Sequence, residues 1–202
     1  MWSRVKIPNG FCPTICCALL LLTPNAQANE LSPRLHAGDI QIALNEPEIV
    51  RNFHKVTGNF YRSAQPEGET AFRNLVERYG LETIISLRSR YSDEPMAGRL
   101  GVRLLRYPIQ AGNLNQENIV KALRALRTAT LHGPTLLHCE HGSDRTGLIT
   151  ALYRILYQNW SKEAALQEMQ QKAYGFHAIW KNIPDYIRNV DVDRLREAVG
   201  VS

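Results

Sequence analysis

Cysteine is scarce in this chain and unevenly placed: of four in 202 residues, Cys12, Cys16 and Cys17 crowd the N-terminus and Cys139 stands alone in the rest. No apolar run is long enough to cross a bilayer, since the uncharged stretch from Phe11 to Leu22 falls well short of the roughly 20 residues a spanning helix needs. The formal net charge is +5, but no long basic run carries it, so nucleic acid is not an implied partner. Internal repeats and low-complexity segments are absent as well. The histidines show no paired spacing of the kind that zinc sites use, so neither a metal nor another cofactor is implied.

What the N-terminus does contain is an export pattern. Arg4 and Lys6 precede the apolar stretch, and Ala26-Gln27-Ala28 follows it as a cleavage sequence. The expected organisation is a signal peptide over residues 1–28, a loosely ordered lead-in over 29–50, and one domain over 51–202. Neither Cys16 nor Cys17 follows the kind of small residue that marks a lipoprotein, so no stable membrane anchor is expected after cleavage before Asn29. The expected location is the periplasm or the medium, with a monomer favoured. Cleavage leaves Cys139 as the sole thiol, which excludes an internal disulfide and reads as a reactive group in an oxidising compartment. With no second cysteine to resolve a sulfenic acid, its oxidation depends on an outside reductant.

Short apolar runs alternate with helical patterns along the rest of the chain, an α/β rhythm. Phe53 to Val56 and Phe60 to Ser63 read as strands joined by a turn. A helix after Pro66 carries Phe72, Leu75, Val76 and Tyr79 on one face and stops at Gly80. Thr83 to Leu87 and Arg103 to Tyr107 read as buried strands. Asn115 caps a helix with Ile119, Val120, Leu123 and Leu126 on one face. Gly133-Pro134 ends that helix, Thr135 to His138 is a strand, and Arg145 to Gln158 is the next helix. Ser161 caps a further helix through Met169, and short helices close the chain after Pro184.

Between that last strand and its helix lies Leu137-His138-Cys139-Glu140-His141-Gly142-Ser143-Asp144-Arg145-Thr146-Gly147. Transfer of a phosphoryl group needs a nucleophile ionised at neutral pH, donors for three equatorial oxygens and a fixed cation. A loop of five residues between Cys139 and Arg145 supplies all three. Wrapped around an anion, its backbone N–H groups point inward and the helix adds its positive end. Such surroundings favour the ionised thiolate of Cys139. Glu140, His141, Gly142, Ser143, Asp144 and Arg145 are therefore the candidate substrate-binding residues, and His138 a support that orients the loop by hydrogen bonds.

The run His138-Cys139, five residues, Arg145-Thr146 resembles the signature of the cysteine-dependent protein tyrosine and dual-specificity phosphatases. Phe60-Tyr61-Arg62-Ser63-Ala64-Gln65-Pro66 is similar to an N-terminal motif of small atypical dual-specificity enzymes. Thr150-Ala151-Leu152-Tyr153-Arg154-Ile155, Trp160 and Ala164-Ala165-Leu166-Gln167-Glu168-Met169 look most like the bacterial periplasmic tyrosine phosphatases of the TpbA type. The likeness covers roughly residues 50 to 200. It implies a central, largely parallel sheet flanked by helices and a phosphorylated protein as substrate. It also implies Cys139 as the residue that forms a phosphocysteine, Arg145 as the phosphate clamp, and Thr146 as an aid to thiolate departure.

One expected part is missing. In the resembling enzymes an aspartate on the loop after the strand ending near Pro108 protonates the leaving group, but this chain reads Pro108-Ile109-Gln110-Ala111-Gly112-Asn113-Leu114-Asn115-Gln116-Glu117, with Gly112 or Asn113 at that place. Lack of an acid costs about 10²- to 10⁴-fold. Asp144 is the first replacement, resembling the loop aspartate of myotubularin-like lipid phosphatases, although an aspartate there can equally cap the helix. Glu117, in a helix's first turn, and Asp93 with Glu94, on a loop that could swing over the site, are the others. Arg62 and Ser63 read as ties between hairpin and core, and Arg88 as solvated surface with a phosphate contact as the alternative. Two competing functions follow: hydrolysis of inositol phosphates or phosphoinositides, against which the acidic Glu140 and Asp144 count, and phosphate binding with negligible catalysis.

Overall fold

The computed structural model describes residues 50–201. The expected signal peptide, and the lead-in up to residue 49, lie outside the described residues. The core element is a five-stranded sheet in the order β1-β2-β5-β3-β4, formed by β1 (His54–Thr57), β2 (Phe60–Ser63), β3 (Thr83–Ser86), β4 (Arg103–Arg106) and β5 (Thr135–His138). β1 pairs antiparallel with β2 through the turn at Gly58, and the other three pairings are parallel. A parallel sheet needs crossovers, and helices α1 (Gly68–Tyr79), α2 (Glu94–Arg99) and α3 (Gln116–His132) lie along the three connections, while α4 (Asp144–Gln158) follows the last strand. The chain closes with α5 (Lys162–Met169), a 3₁₀ turn at Lys172–Tyr174, α6 (Asn182–Asn189) and α7 (Val192–Val199).

Strand alternation divides the apolar residues between two cores. Phe60, Ile85 and Leu137 face the larger, with Ile119, Leu123 and Leu126 of α3 and Leu148, Ile149 and Leu152 of α4. Tyr61, Ile84 and Leu136 face the other way, onto Phe72 and Leu75 of α1. Each of these side chains is nearly or wholly withdrawn from water, worth about 1.5–3 kcal/mol apiece for the larger aliphatic ones. α4 is buried on almost every face, which fixes the start of that helix against the sheet.

Local signals fall where expected. Gly80 ends α1 in the left-handed conformation at φ 62°, Asn115 Oδ1 accepts the Asn118 N–H at 2.8 Å, and Ser161 Oγ accepts the Ala164 N–H at 3.1 Å. β1 begins one residue later than the pattern predicted, β3 and β4 end one residue earlier, and β4, at the sheet's edge, is half-exposed and not the buried strand expected. α6 begins at Asn182, ahead of Pro184, which occupies its first turn and therefore loses no internal hydrogen bond. α2 was unforeseen; with six residues including Pro95 and Gly98 it has too little length for a periodic signature. In register, Ser63, His138, Ser86 and Arg106 terminate four adjacent parallel strands, so the loops that follow them share one edge. That carboxyl edge is where α/β sheets place their ligands.

Candidate active site

β5 delivers Cys139 directly after His138, and α4 starts at Asp144, so Cys139 to Ser143 form a tight loop between strand and helix. Cys139 is buried, as are Ser143, Asp144 and Thr146, whereas Glu140 and His141 are exposed. The helix begins one residue before the expected Arg145. Ser143 is therefore its N-cap residue and Asp144 its first member, so Asp144 does not occupy the N-cap position. The order brings every expected loop residue to one place, with the N–H groups of the first turn at the loop's mouth.

The loop is held from three sides. Arg62, 1% exposed, donates from Nη2 to the Gly142 carbonyl at 2.7 Å and lies over the Tyr174 ring at 4.3 Å. Burial lowers its pKa to about 10, while the neighbouring Tyr174 and Cys139 oppose that shift. It remains a cation at neutral pH. The Gln65 N–H donates to the Glu140 carbonyl at 3.1 Å, and the Leu87 N–H to the His138 carbonyl at 2.9 Å. Asn52 Nδ2 donates to the His141 carbonyl at 3.0 Å and to the Tyr174 carbonyl at 3.1 Å.

Gly142 is required by contact as well as conformation. Its φ is +72°, and a Cβ would stand 2.4 Å from the Ser63 carbonyl carbon and 2.5 Å from the Ala64 nitrogen. Both clashes are with backbone, which cannot rotate away. Gly142→Ala is expected to cost about 1–2 kcal/mol for the left-handed conformation alone, with the clash in addition. The thermal midpoint should fall by at least about 4 °C in a scan, with loss of phosphate binding.

His138 is fully buried, and its Nε2 meets Asp93 Oδ2 at 2.9 Å while Nδ1 lies 3.2 Å from the Cys139 carbonyl. Both contacts tie the ring between the loop's start and the segment before α2. Asp93 is thereby corrected: it is 3% exposed and tied down, not a loop carboxylate able to swing over the site. Burial pushes its pKa up, but the hydrogen bond and charge of His138, with Gln65 and Ser86, outweigh that and hold it below the ordinary carboxylate range. Glu94 begins α2 in solvent, and Glu117 is exposed and paired with Lys121 four residues on.

Asp144 has partners of its own. Oδ1 accepts the His177 backbone N–H at 2.9 Å, and His177 Nδ1 lies 2.9 Å from Oδ2. The His177 ring stands edge-on to that of His141, centroids 5.3 Å apart. His177, Tyr174 and Asn52 went unrecognised in the sequence reading. The available signal was Gly175, whose left-handed φ of +63° turns the chain between two aromatic residues toward the loop. The histidines are also paired in space though not in sequence: among the described residues, His141, Asp144 and His177 bring three metal-ligand atoms within 4.8 Å of one another.

Glu140 lies 3.6 Å from Arg145 Nη2 and 3.6 Å from Arg88 Nη2, so its charge is offset by two guanidinium groups. Thr146 Oγ1 is buried without a hydrogen-bond partner among the described residues. On the loop after β4, a Cβ on Gly112 would meet the Trp180 ring at 3.3 Å, and Asn182 Nδ2 holds the Ala111 carbonyl at 2.7 Å. The loop that lacks an acid is thus pinned to the start of α6 and the segment just before it.

The profile of the "Tyrosine phosphatase family" matches residues 49–197. The dual specificity protein phosphatase TpbA of Pseudomonas aeruginosa (strain UCBPP-PA14) is 35% identical over 182 residues, spanning 90% of this chain and 80% of that protein. A crystal structure of a cysteine-to-serine variant of P. aeruginosa TpbA in complex with pTyr superposes with a TM-score of 0.68 at 34% identity, covering 78% of this chain and 95% of that one. The core catalytic domain of the PP-IP phosphatase SIW14 from S. cerevisiae, crystallised with citrate, gives 0.63 at 28% identity over 75% and 92% of the two chains.

Proposed function

The chain belongs to the tyrosine phosphatase family and is a phosphatase of the dual-specificity type, and from that premise we propose that it is an exported enzyme hydrolysing phosphotyrosine in proteins, with phosphoserine and phosphothreonine as secondary substrates, through a phosphocysteine intermediate. The observation that carries this reading is the placement of Cys139 at the carboxyl end of β5, enclosed by a loop that opens into α4. TpbA's recorded complex with pTyr supports the choice of phosphotyrosine. Export rests on Arg4, Lys6, the apolar stretch and Ala26-Gln27-Ala28.

In the proposed reaction the Cys139 thiolate attacks phosphorus while Arg145 and the loop N–H groups hold the equatorial oxygens. The bond from phosphorus to the leaving oxygen breaks, and that oxygen takes a proton from Asp144. Water then attacks the phosphocysteine and gives its proton to Asp144. The sulfur–phosphorus bond breaks, inorganic phosphate leaves, and the Thr146 hydroxyl steadies the returning thiolate. His177 holds the Asp144 carboxyl in place through both oxygens.

A second reading, hydrolysis of inositol pyrophosphates, is favoured by the likeness to the SIW14 core and by the pairing of Glu140 with Arg88 and Arg145, which weakens the local repulsion of a polyanion. Kinetics on a phosphotyrosine peptide and on an inositol pyrophosphate rank the two. The peptide is expected to show the higher kcat/KM by at least about tenfold, about 1.4 kcal/mol of transition-state discrimination. The reverse order would replace the first reading by the second.

A further inference from the structure

We propose that His141, Asp144 and His177 form a zinc site at the rim of the phosphate loop, and that Zn²⁺ bound there inhibits the enzyme by occupying Asp144. The donor set is two imidazole nitrogens and one carboxylate oxygen, all within 4.8 Å of one another. That is a ligand set for a borderline divalent cation, and Zn²⁺ imposes the least geometric demand among such ions. In a tetrahedral zinc centre neighbouring ligand atoms stand about 3.3 Å apart, given metal–ligand distances near 2.0–2.1 Å. The His177 Nδ1 to Asp144 separations, 2.9 and 3.1 Å, are already within half an ångström of that. The His141 ring completes the set by a rotation of an exposed side chain.

The backbone carrying the three ligands is fixed independently of any ion. Asn52 Nδ2 clamps the His141 carbonyl and the Tyr174 carbonyl, so one side chain joins the two segments that bear the histidines. Gly175 turns the second segment inward, the His177 N–H is held by Asp144, and the His177 carbonyl accepts the Trp180 N–H at 3.1 Å. A pair of hydrogen-bonded residues would need only Asp144 and His177. The second imidazole at 5.3 Å is what turns the pair into a chelating group. Three protein ligands leave a fourth position for solvent or a phosphate oxygen.

The inhibitory part rests on Asp144 acting as the proton donor; the binding part does not. Binding is measured on Cys139→Ser, which removes the thiol as a competing ligand, by titrating Zn²⁺ against a chromophoric chelator. One Zn²⁺ per chain is expected, and His141→Asn or His177→Asn in that background should weaken binding at least tenfold. Both side chains are substantially exposed, so folding is not at stake, and affinities unchanged within twofold in the two variants would overturn the site. Turnover is measured with Cys139 intact: the Zn²⁺ concentration for half inhibition should rise at least tenfold in His177→Asn. If binding weakens but inhibition does not, the site stands and the Asp144 reading fails.

Discussion

Cys139→Ser is expected to lower turnover of a phosphotyrosine peptide by at least about 10⁴-fold while leaving vanadate binding measurable, because loss of a nucleophile removes the covalent route and leaves the anion site intact. A serine hydroxyl is similar in size to the thiol, and Cys139 is buried at a strand end, so the substitution changes nucleophilicity far more than packing. The loop's N–H groups, Arg145 and the Arg62 to Gly142 tie are untouched. Steady-state kinetics together with vanadate titration by isothermal calorimetry separate the two effects. Full activity in the variant would remove the phosphocysteine from the mechanism, and loss of vanadate binding alongside activity would mean that the loop itself had collapsed.

The parts of this site that were legible in the sequence are those built by near neighbours. Thr135 to His138 is an apolar strand closed by a loop and a helix, so the order strand, cysteine, loop, arginine, helix could be read directly, and the caps at Asn115 and Ser161 are three-residue signals. The support of the loop was not legible, since it comes from pairs far apart along the chain. His138 meets Asp93 from 45 residues away, Arg62 meets Gly142 from 80, and His177 meets Asp144 from 33. Nothing in the composition near Asp93 distinguishes a buried partner from a solvated loop carboxylate. The distinction arises only when α2 and the end of β5 are packed together. Asn52 is a further case: its positive φ of 55° places the side chain between two segments that sequence order does not associate.

Asp144→Asn is expected to separate substrates by the quality of their leaving group. If Asp144 supplies the proton, a phenolate as basic as that of tyrosine must depart unprotonated in the variant, and its turnover should fall by about 10²- to 10³-fold. An aryl phosphate with an acidic phenol needs little protonation and should lose no more than a few fold. Asparagine keeps the shape of the side chain and its carbonyl oxygen can still accept the His177 N–H, so the loop and the start of α4 have no reason to move. A merely structural role for Asp144 would lower both substrates equally. Since Gly112 packs on Trp180 and the Ala111 carbonyl is fixed by Asn182, the loop after β4 has no carboxyl to take over. Asp93 is held by His138 and Glu117 by Lys121. Equal losses would therefore leave water as the proton source, and the enzyme would be one specialised for substrates whose leaving groups depart unaided.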